Sequence, residues 1–324
     1  MFLPLIQNET LKILRRKRFA VVMGILFAIL VVVTIAQYRQ LKFRAHRNWR
    51  ADTQQRIANY QNIIRRGRAS ENWIRSIRAD INRLQFYLDH DIEPDSPTAP
   101  LFVRSFANVA GFLLLPVLIA LLGSDIVSAE SSEGTDKLLL TRPVRRWKVL
   151  AAKLVTLWIF ATLTLLCGAI LAYTIAAPVL PRGGWDAPTF TGFEVARGEF
   201  RVDEVRQLPL WKDTLIAYGL EWYALLTVAA MAIALSVLFR SSAAAIGTML
   251  AFLIGGTILS QLTPDWTTGK YVFTCALPMA NYYTGAPPPY EGMSIAFCIA
   301  LLGVWAVIAI IFAFAIFVRR DVFG

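Results

Sequence analysis

Residues Ser124–Lys153 read SDIVSAESSEGTDKLLLTRPVRRWKVLAAK. This stretch is basic, amphipathic and no longer than a loop. It lies between two uncharged runs, Ser105–Ser124 and Leu154–Leu180, each long enough to cross a bilayer. Its centre is E-S-S-E-G-T, and Pro143 is followed closely by Arg145, Arg146 and Lys148. A short charged linker between two long apolar runs is the pattern of a chain that crosses a membrane repeatedly. The composition agrees. Hydrophobic residues make up 56% of 324 residues, and the mean hydropathy is +0.51.

An uncharged run of roughly 18 or more residues can cross a hydrocarbon core about 30 Å thick. Six runs meet that length with high apolar content: Phe19–Tyr38, Ser105–Ser124, Leu154–Leu180, Trp222–Phe239, Ser241–Pro264 and Gly292–Val318. Backbone polar groups in lipid need internal partners, so these runs should be helices. The expected fold is an all-α integral membrane protein with six transmembrane helices, at 19–38, 101–124, 150–180, 214–239, 243–263 and 292–318.

A seventh uncharged run, Tyr271–Tyr290, holds Pro278, Asn281, Tyr282, Tyr283 and the triplet Pro287–Pro289. Prolines break helical continuity, and aromatic residues with polar tips favour the membrane interface. Within 264–291, the stretch Tyr271–Tyr283 therefore reads as a re-entrant half-helix on the outer side, not a full span.

Lys12, Arg15, Arg16, Lys17 and Arg18 precede the first span, and 125–149 adds a second basic group. Arg240 lies in the turn 240–242, and Arg319 and Arg320 open the tail 319–324. With six spans all four groups share one face, which the positive-inside bias makes cytoplasmic. The segments 39–100 and 181–213 then lie outside, although 39–100 is itself basic, with twelve Lys or Arg against seven Asp or Glu.

Residues 1–18 read as a retained, cationic amphipathic helix along the inner leaflet. Leu3, Ile6, Ile13 and Leu14 share one face, while Asn8, Glu9, Lys12, Arg15 and Arg16 spread over the other. Outside, Ile74, Ile77, Ile81, Leu84 and Leu88 alternate steps of three and four, a seam repeating about every 3.5 residues. Trp49, Ile57, Tyr60 and Ile64 give an upstream stripe, Gly67 separates the two, and Ser70 suits an N-cap. A helical hairpin over 39–96 is the expectation, with a solvated cationic face or one that meets an outer partner. The loop 181–213, rich in Gly, Pro and mixed charge, reads as an irregular cap with at most one short helix.

Catalytic patterns are missing from the sequence. There is no G-x-x-x-x-G-K-[ST] phosphate loop. His46 and His90 are the only histidines and sit outside any metal-ligand spacing. Cys167, Cys275 and Cys298 read as small apolar packers. Glu221, in AYGLEWYALL, is the one acid of interest. If its helix starts near Thr214, the carboxyl lies about 10 Å along it and becomes a candidate pathway residue. If the helix starts nearer Glu221, the carboxylate reaches the headgroups.

The order of these features resembles the permeases of type-2 (ABC-2 type) ABC exporters. The resemblance rests on the basic amphipathic N-terminus, the six spans, the closing F-x-R-R-D-V and above all 125–149. There Glu130 and Gly134 fit E-x-x-x-G, and Thr135, Leu139, Leu140, Thr141, Pro143, Arg146 and Lys153 fit G-T…L-L-T-x-P…R…K. The enlarged first outer loop departs from the simplest members.

The resemblance implies a permease subunit of an ATP-driven exporter in the bacterial inner membrane. It makes 125–149 a coupling helix through which Glu130, Glu133, Gly134, Thr135, Leu139, Thr141, Pro143 and Arg146 meet a separate ABC ATPase subunit. That subunit would bind ATP and Mg, leaving this chain without a cofactor or covalent chemistry. A second permease copy or paralogue would complete a dimer, and lipid rather than nucleic acid would surround it. Tyr271, Pro278, Asn281 and Tyr282 would belong to an exit gate, with Glu221 on the path. An ion, lipid, peptide or antibiotic would all suit as substrate. The alternative is a membrane-anchored assembly or sensor protein acting through its basic outer hairpin, and a secondary transporter stands third.

Overall fold

The computed structural model describes residues 2–44, 48–66, 71–91, 93, 98–132, 145–191, 194–196, 199–201, 206–262, 266–286, 288–290 and 292–319. Among them are six helices long and apolar enough to cross a membrane: Arg18–Arg39, Ala99–Glu130, Arg146–Ala176, Leu210–Leu238, Ser242–Ser260 and Ile295–Arg319. The chain is a mostly helical, multi-pass membrane protein. The second and fourth spans form its centre, with 61% and 67% of their apolar windows buried, against 22%, 17% and 17% for the first, fifth and sixth. Leu115, Leu118, Leu157 and Leu225 fill the contact between the central helices. Spans two, three and four thus make the core, while the others turn much of their apolar surface outward.

Besides the third, which starts at Arg146 ahead of Leu154, two helices begin earlier than their uncharged runs. The second starts at Ala99 behind an N-cap from Thr98, whose hydroxyl accepts from Leu101 N–H, with Pro100 in the first turn. The fourth starts at Leu210. Each carries a charge in its opening turns, Arg104 and Asp213, and the two neutralise each other. A search for uncharged runs stops at such a pair, although together they fit inside the helices.

The second span is not uniformly α-helical. Ala110–Leu114 forms a π-helical turn, closed by the Leu115 N–H donating to the Ala110 carbonyl. Pro116 accounts for it. A mid-helix proline has no N–H to offer and crowds the carbonyl four residues back, and a widened turn absorbs that clash.

Before the first span, a helix over Phe2–Arg15 ends at Arg16 and Lys17. Lys17 adopts φ 55, a left-handed residue that turns the chain into the span. Past the first span, Trp49–Arg65 and Glu71–Asp89 are helices in contact with each other. Asn48 caps the former, and Ile77, Ile81 and Leu84 are buried. Gly67 and Ser70 lie outside the described residues.

The expectation of an all-α fold with an irregular second outer loop is corrected. Residues 188–209 contain two short antiparallel ribbons. β1 (Pro188–Thr191) pairs with β4 (Arg206–Pro209), and β2 (Glu194–Ala196) pairs with β3 (Glu199–Arg201). Strands of three or four residues are too short to show a period-two pattern, so composition alone reads them as loop. Phe190 of β1 lies within 4.8 Å of the Phe86 ring and 5.6 Å of the Tyr87 ring, centroid to centroid. These contacts join the helix Glu71–Asp89 to the ribbon.

Between the fifth and sixth spans the chain is broken into a 3-10 turn, Thr267–Tyr271, and two short helices, Phe273–Ala276 and Met279–Tyr283. Phe273–Ala280 are buried. Thr274 lies against Gly256 of the fifth span, where any Cβ would collide with it. The Trp305 indole donates to the Tyr271 carbonyl at 2.9 Å, tying the sixth span to this segment.

Candidate functional site

Among the described residues, two buried constructions are built on charged side chains. The first joins the N-terminal helix to the ends of spans two and three. Lys12 Nζ lies 2.7 Å from both Glu9 Oε1 and Glu130 Oε1. Lys153 Nζ lies 2.8 Å from both Glu9 Oε2 and Glu130 Oε1. Two acids and two bases therefore alternate in a closed ring. The Lys153 side chain has no exposure and also donates to the Ile126 carbonyl at 3.3 Å. Arg18 pairs with Asp125 beside it. Burial works against the Lys12 ammonium, but hydrogen bonding and charge from Glu130, then Glu9, outweigh it and hold the amine above its ordinary value.

This ring corrects the placement of Glu9 on an outward polar face of the N-terminal helix. Glu9 and Ile13 turn inward, whereas Leu3 is 66% exposed and Leu14 is 49% exposed. Ion pairing to Lys153 accounts for the inward face, because a lysine buried this deeply is costly without acids beside it.

The second construction runs between spans two and four. The Arg104 side chain donates through Nε to Asp213 Oδ2 at 2.5 Å and through a terminal nitrogen to Asn108 Oδ1 at 2.6 Å. The Tyr218 hydroxyl donates to the Val103 carbonyl at 3.0 Å. One turn further along, Glu221 is 1% exposed, and neither carboxyl oxygen has a hydrogen-bond partner among the described residues. Its carboxyl fills the space beside Gly111 in the π-turn, and a Cβ on Gly111 would collide with it. The helix starts at Leu210 and not near Glu221, so the carboxyl lies about 16 Å along it at 1.5 Å per residue, enclosed by protein.

The other sequence candidates are dispersed. Arg146, at the start of the third span, donates to the Val318 carbonyl at 3.4 Å, which brings that start beside the end of the sixth span. Glu133, Gly134, Thr135, Leu139, Thr141 and Pro143 lie outside the described residues. Tyr271 is 51% exposed, Pro278 is buried and Asn281 is half-buried. Tyr282, also half-buried, donates to the Cys275 carbonyl at 2.7 Å. Among the described residues no group of His, Cys, Asp or Glu could hold a metal ion.

Sequence reading did not single out Glu9, Arg104, Asp213 or Gly111. Glu9 is the only acid in the first 18 residues, which was the one available signal. The others gain meaning only when spans two and four come together.

Six apolar helices around a core that encloses paired charges define a multi-pass membrane protein. The family described as "Protein of unknown function (DUF2705)" matches residues 74–323, and the chain belongs to it. The chain is 26% identical to "Uncharacterized protein YhcI" of Bacillus subtilis (strain 168) over 324 residues, covering 99% of each. It is 27% identical over 212 residues to "Uncharacterized membrane protein YdbK" of the same organism, covering 65% of this chain and 78% of that one. This membership overturns the assignment to the type-2 ABC exporter permeases. Each residue of the E-x-x-x-G and L-L-T-x-P pattern is common, and a basic linker between two spans can assemble that order from insertion constraints alone.

Proposed function

We propose that this protein is the membrane-embedded transport subunit of an ATP-driven exporter, with ATP and Mg bound by a separate subunit at its inner face. The observation that supports this reading is the closed ring of Glu9, Lys12, Glu130 and Lys153. It makes the N-terminal helix and the ends of spans two and three into one rigid block, flanking residues 133–144 on both sides. A partner pressing on that block would move two of the three central spans together.

In this reading the ring lies at the cytoplasmic side of the inner membrane, in keeping with the basic groups around it. Residues 49–89 lie outside, the broken segment 267–283 lines an outer gate, and two copies assemble around the path. The chain itself performs no covalent chemistry.

The test is purification of the tagged full chain in mild detergent, with mass spectrometry of what accompanies it and an ATPase assay of the complex. The expected result is a stoichiometric nucleotide-binding ATPase whose association is lost when Lys153→Met loosens the ring. Recovery of an outer partner with no ATPase would reject the transport reading and favour an assembly or sensor role for 49–89.

A further inference from the structure

We propose that Glu221 is an intramembrane proton-binding site, served from the end of the molecule that holds Arg104 and Asp213. Four observations converge on it. The carboxyl is almost wholly buried and has no hydrogen-bond partner among the described residues. It occupies a niche that exists only because residue 111 is glycine. That niche is formed at a π-helical turn, a distortion found frequently at functional sites. Finally, the charged groups nearest the niche, Arg104 and Asp213, lie to one side of it.

The one-sidedness follows from residue positions. On span four, Asp213 precedes Glu221 by two turns, about 12 Å, with Tyr218 between them. Arg104 faces this stretch from span two, donating to Asp213 and to Asn108. Towards the opposite end, Leu115, Leu118, Leu122, Leu225, Val228 and Ala232 are all buried, and the Thr227 hydroxyl among them is spent on the Tyr223 and Leu302 carbonyls. A polar stair thus reaches the carboxyl from one end, and an apolar plug seals the other.

The ligand follows from the chemistry of the niche. A lone carboxylate in a low-dielectric interior is strongly disfavoured unless it acquires a cation or a proton. A hard metal cation takes about six or more oxygen ligands, and the described side chains beside Glu221 offer no such set. The titratable groups on the elements packed around this level are Tyr218, Asp213 and Tyr223 of its own span, the last donating to the Ile299 carbonyl, Arg104 of the second, Cys167 of the third, Cys298 of the last and Tyr282 of the broken segment. None of them bonds to the Glu221 carboxyl. A proton is the counter-ion that fits.

The test uses dicyclohexylcarbodiimide, an apolar reagent that adds to protonated carboxyls within membranes. It is applied to the full chain in lipid nanodiscs and read by peptide mass spectrometry. We expect one N-acylurea adduct on Glu221, formed in acidic and neutral buffer, lost in alkaline buffer and unaffected by sodium or potassium. Glu221→Gln, an isostere of the neutral acid, should fold as the wild type does and lose the adduct. Gly111→Ala should lower labelling several-fold by displacing the carboxyl, with Gly219→Ala, in open space, as the control for helix substitution. Protection by sodium or potassium would overturn the proposal in favour of a metal-cation site. A folded wild-type chain that never labels at Glu221 would overturn it outright. Labelling needs no ATPase, so its result is independent of the transport reading.

Discussion

Replacing Lys153 by Met probes the ring most directly, because this lysine closes two of its four contacts at 2.8 Å each. In the wild type the ring is neutral, with two acids against two bases. Lys153→Met removes one positive charge and leaves Glu9 and Glu130 to share Lys12. Removing one member of a buried pair typically costs about 3–5 kcal/mol, mostly from the charge left behind. Lys12 still serves both acids, so the lower end, about 3 kcal/mol, is expected. Adding Glu9→Gln restores neutrality and leaves a single Lys12–Glu130 pair. The double variant should therefore recover much of the loss, with a coupling of about 1.5 kcal/mol or more. Equilibrium unfolding by SDS in mixed micelles, followed by tryptophan fluorescence, measures all three. The reasoning fails if Lys153→Met lies within about 0.5 kcal/mol of the wild type, or if the two substitutions add within that margin as distant sites do.

Other perturbations test separate parts of the structure. Arg104→Met should cost about 3–5 kcal/mol in the same assay by stranding Asp213, whereas Arg104→Met with Asp213→Leu should lie near the wild type. Because Lys12 is held above its ordinary value, docking of the N-terminal helix is favoured in full below the lysine value of about 10.4 and lost as pH rises through the raised one. The mobility of a spin label at Asn8 should stay constant through neutral pH and increase only in strong alkali. Gly256→Val should destabilise by about 1–3 kcal/mol through overpacking and expose Cys275, measured by maleimide reactivity with Cys167 and Cys298 replaced by serine. An impermeant maleimide on intact cells should label a single cysteine at Gln61 and spare one at Arg145, and the reverse pattern would invert the orientation.

The spans were legible because hydrocarbon imposes length and polarity on each run separately, with no need to know its neighbours. The same locality explains what was not legible. Arg104 and Asp213 each look like the end of an apolar run, and only their contact, 109 residues apart in sequence, makes them interior residues. Glu9 looks like part of a solvated face until Lys153 is placed beside it. Gly111 is one glycine among 19, marked only by the carboxyl that fills its missing side chain. Glu221 was visible as an acid near a span, but its depth depended on a helix start hidden by Asp213. The short ribbons at 188–209 escaped because three or four residues carry no readable period. The family resemblance drawn from 125–149 went astray for a related reason: residue order in a short linker says little without the surfaces it forms.

The ring also dictates an order of biogenesis. Glu9 and Lys153 are separated by 144 residues, and synthesis proceeds at about 5–20 residues per second. The N-terminal helix therefore waits on the order of ten seconds before its last partner has even been translated. Until the third span is in place, Glu9 can meet only Lys12 of its own helix, and the segment lacks Lys153 and the third-span surface it closes upon. Its amphipathic character gives it somewhere to rest in the meantime, at the lipid surface, from which docking becomes the step that reports the central helices as assembled.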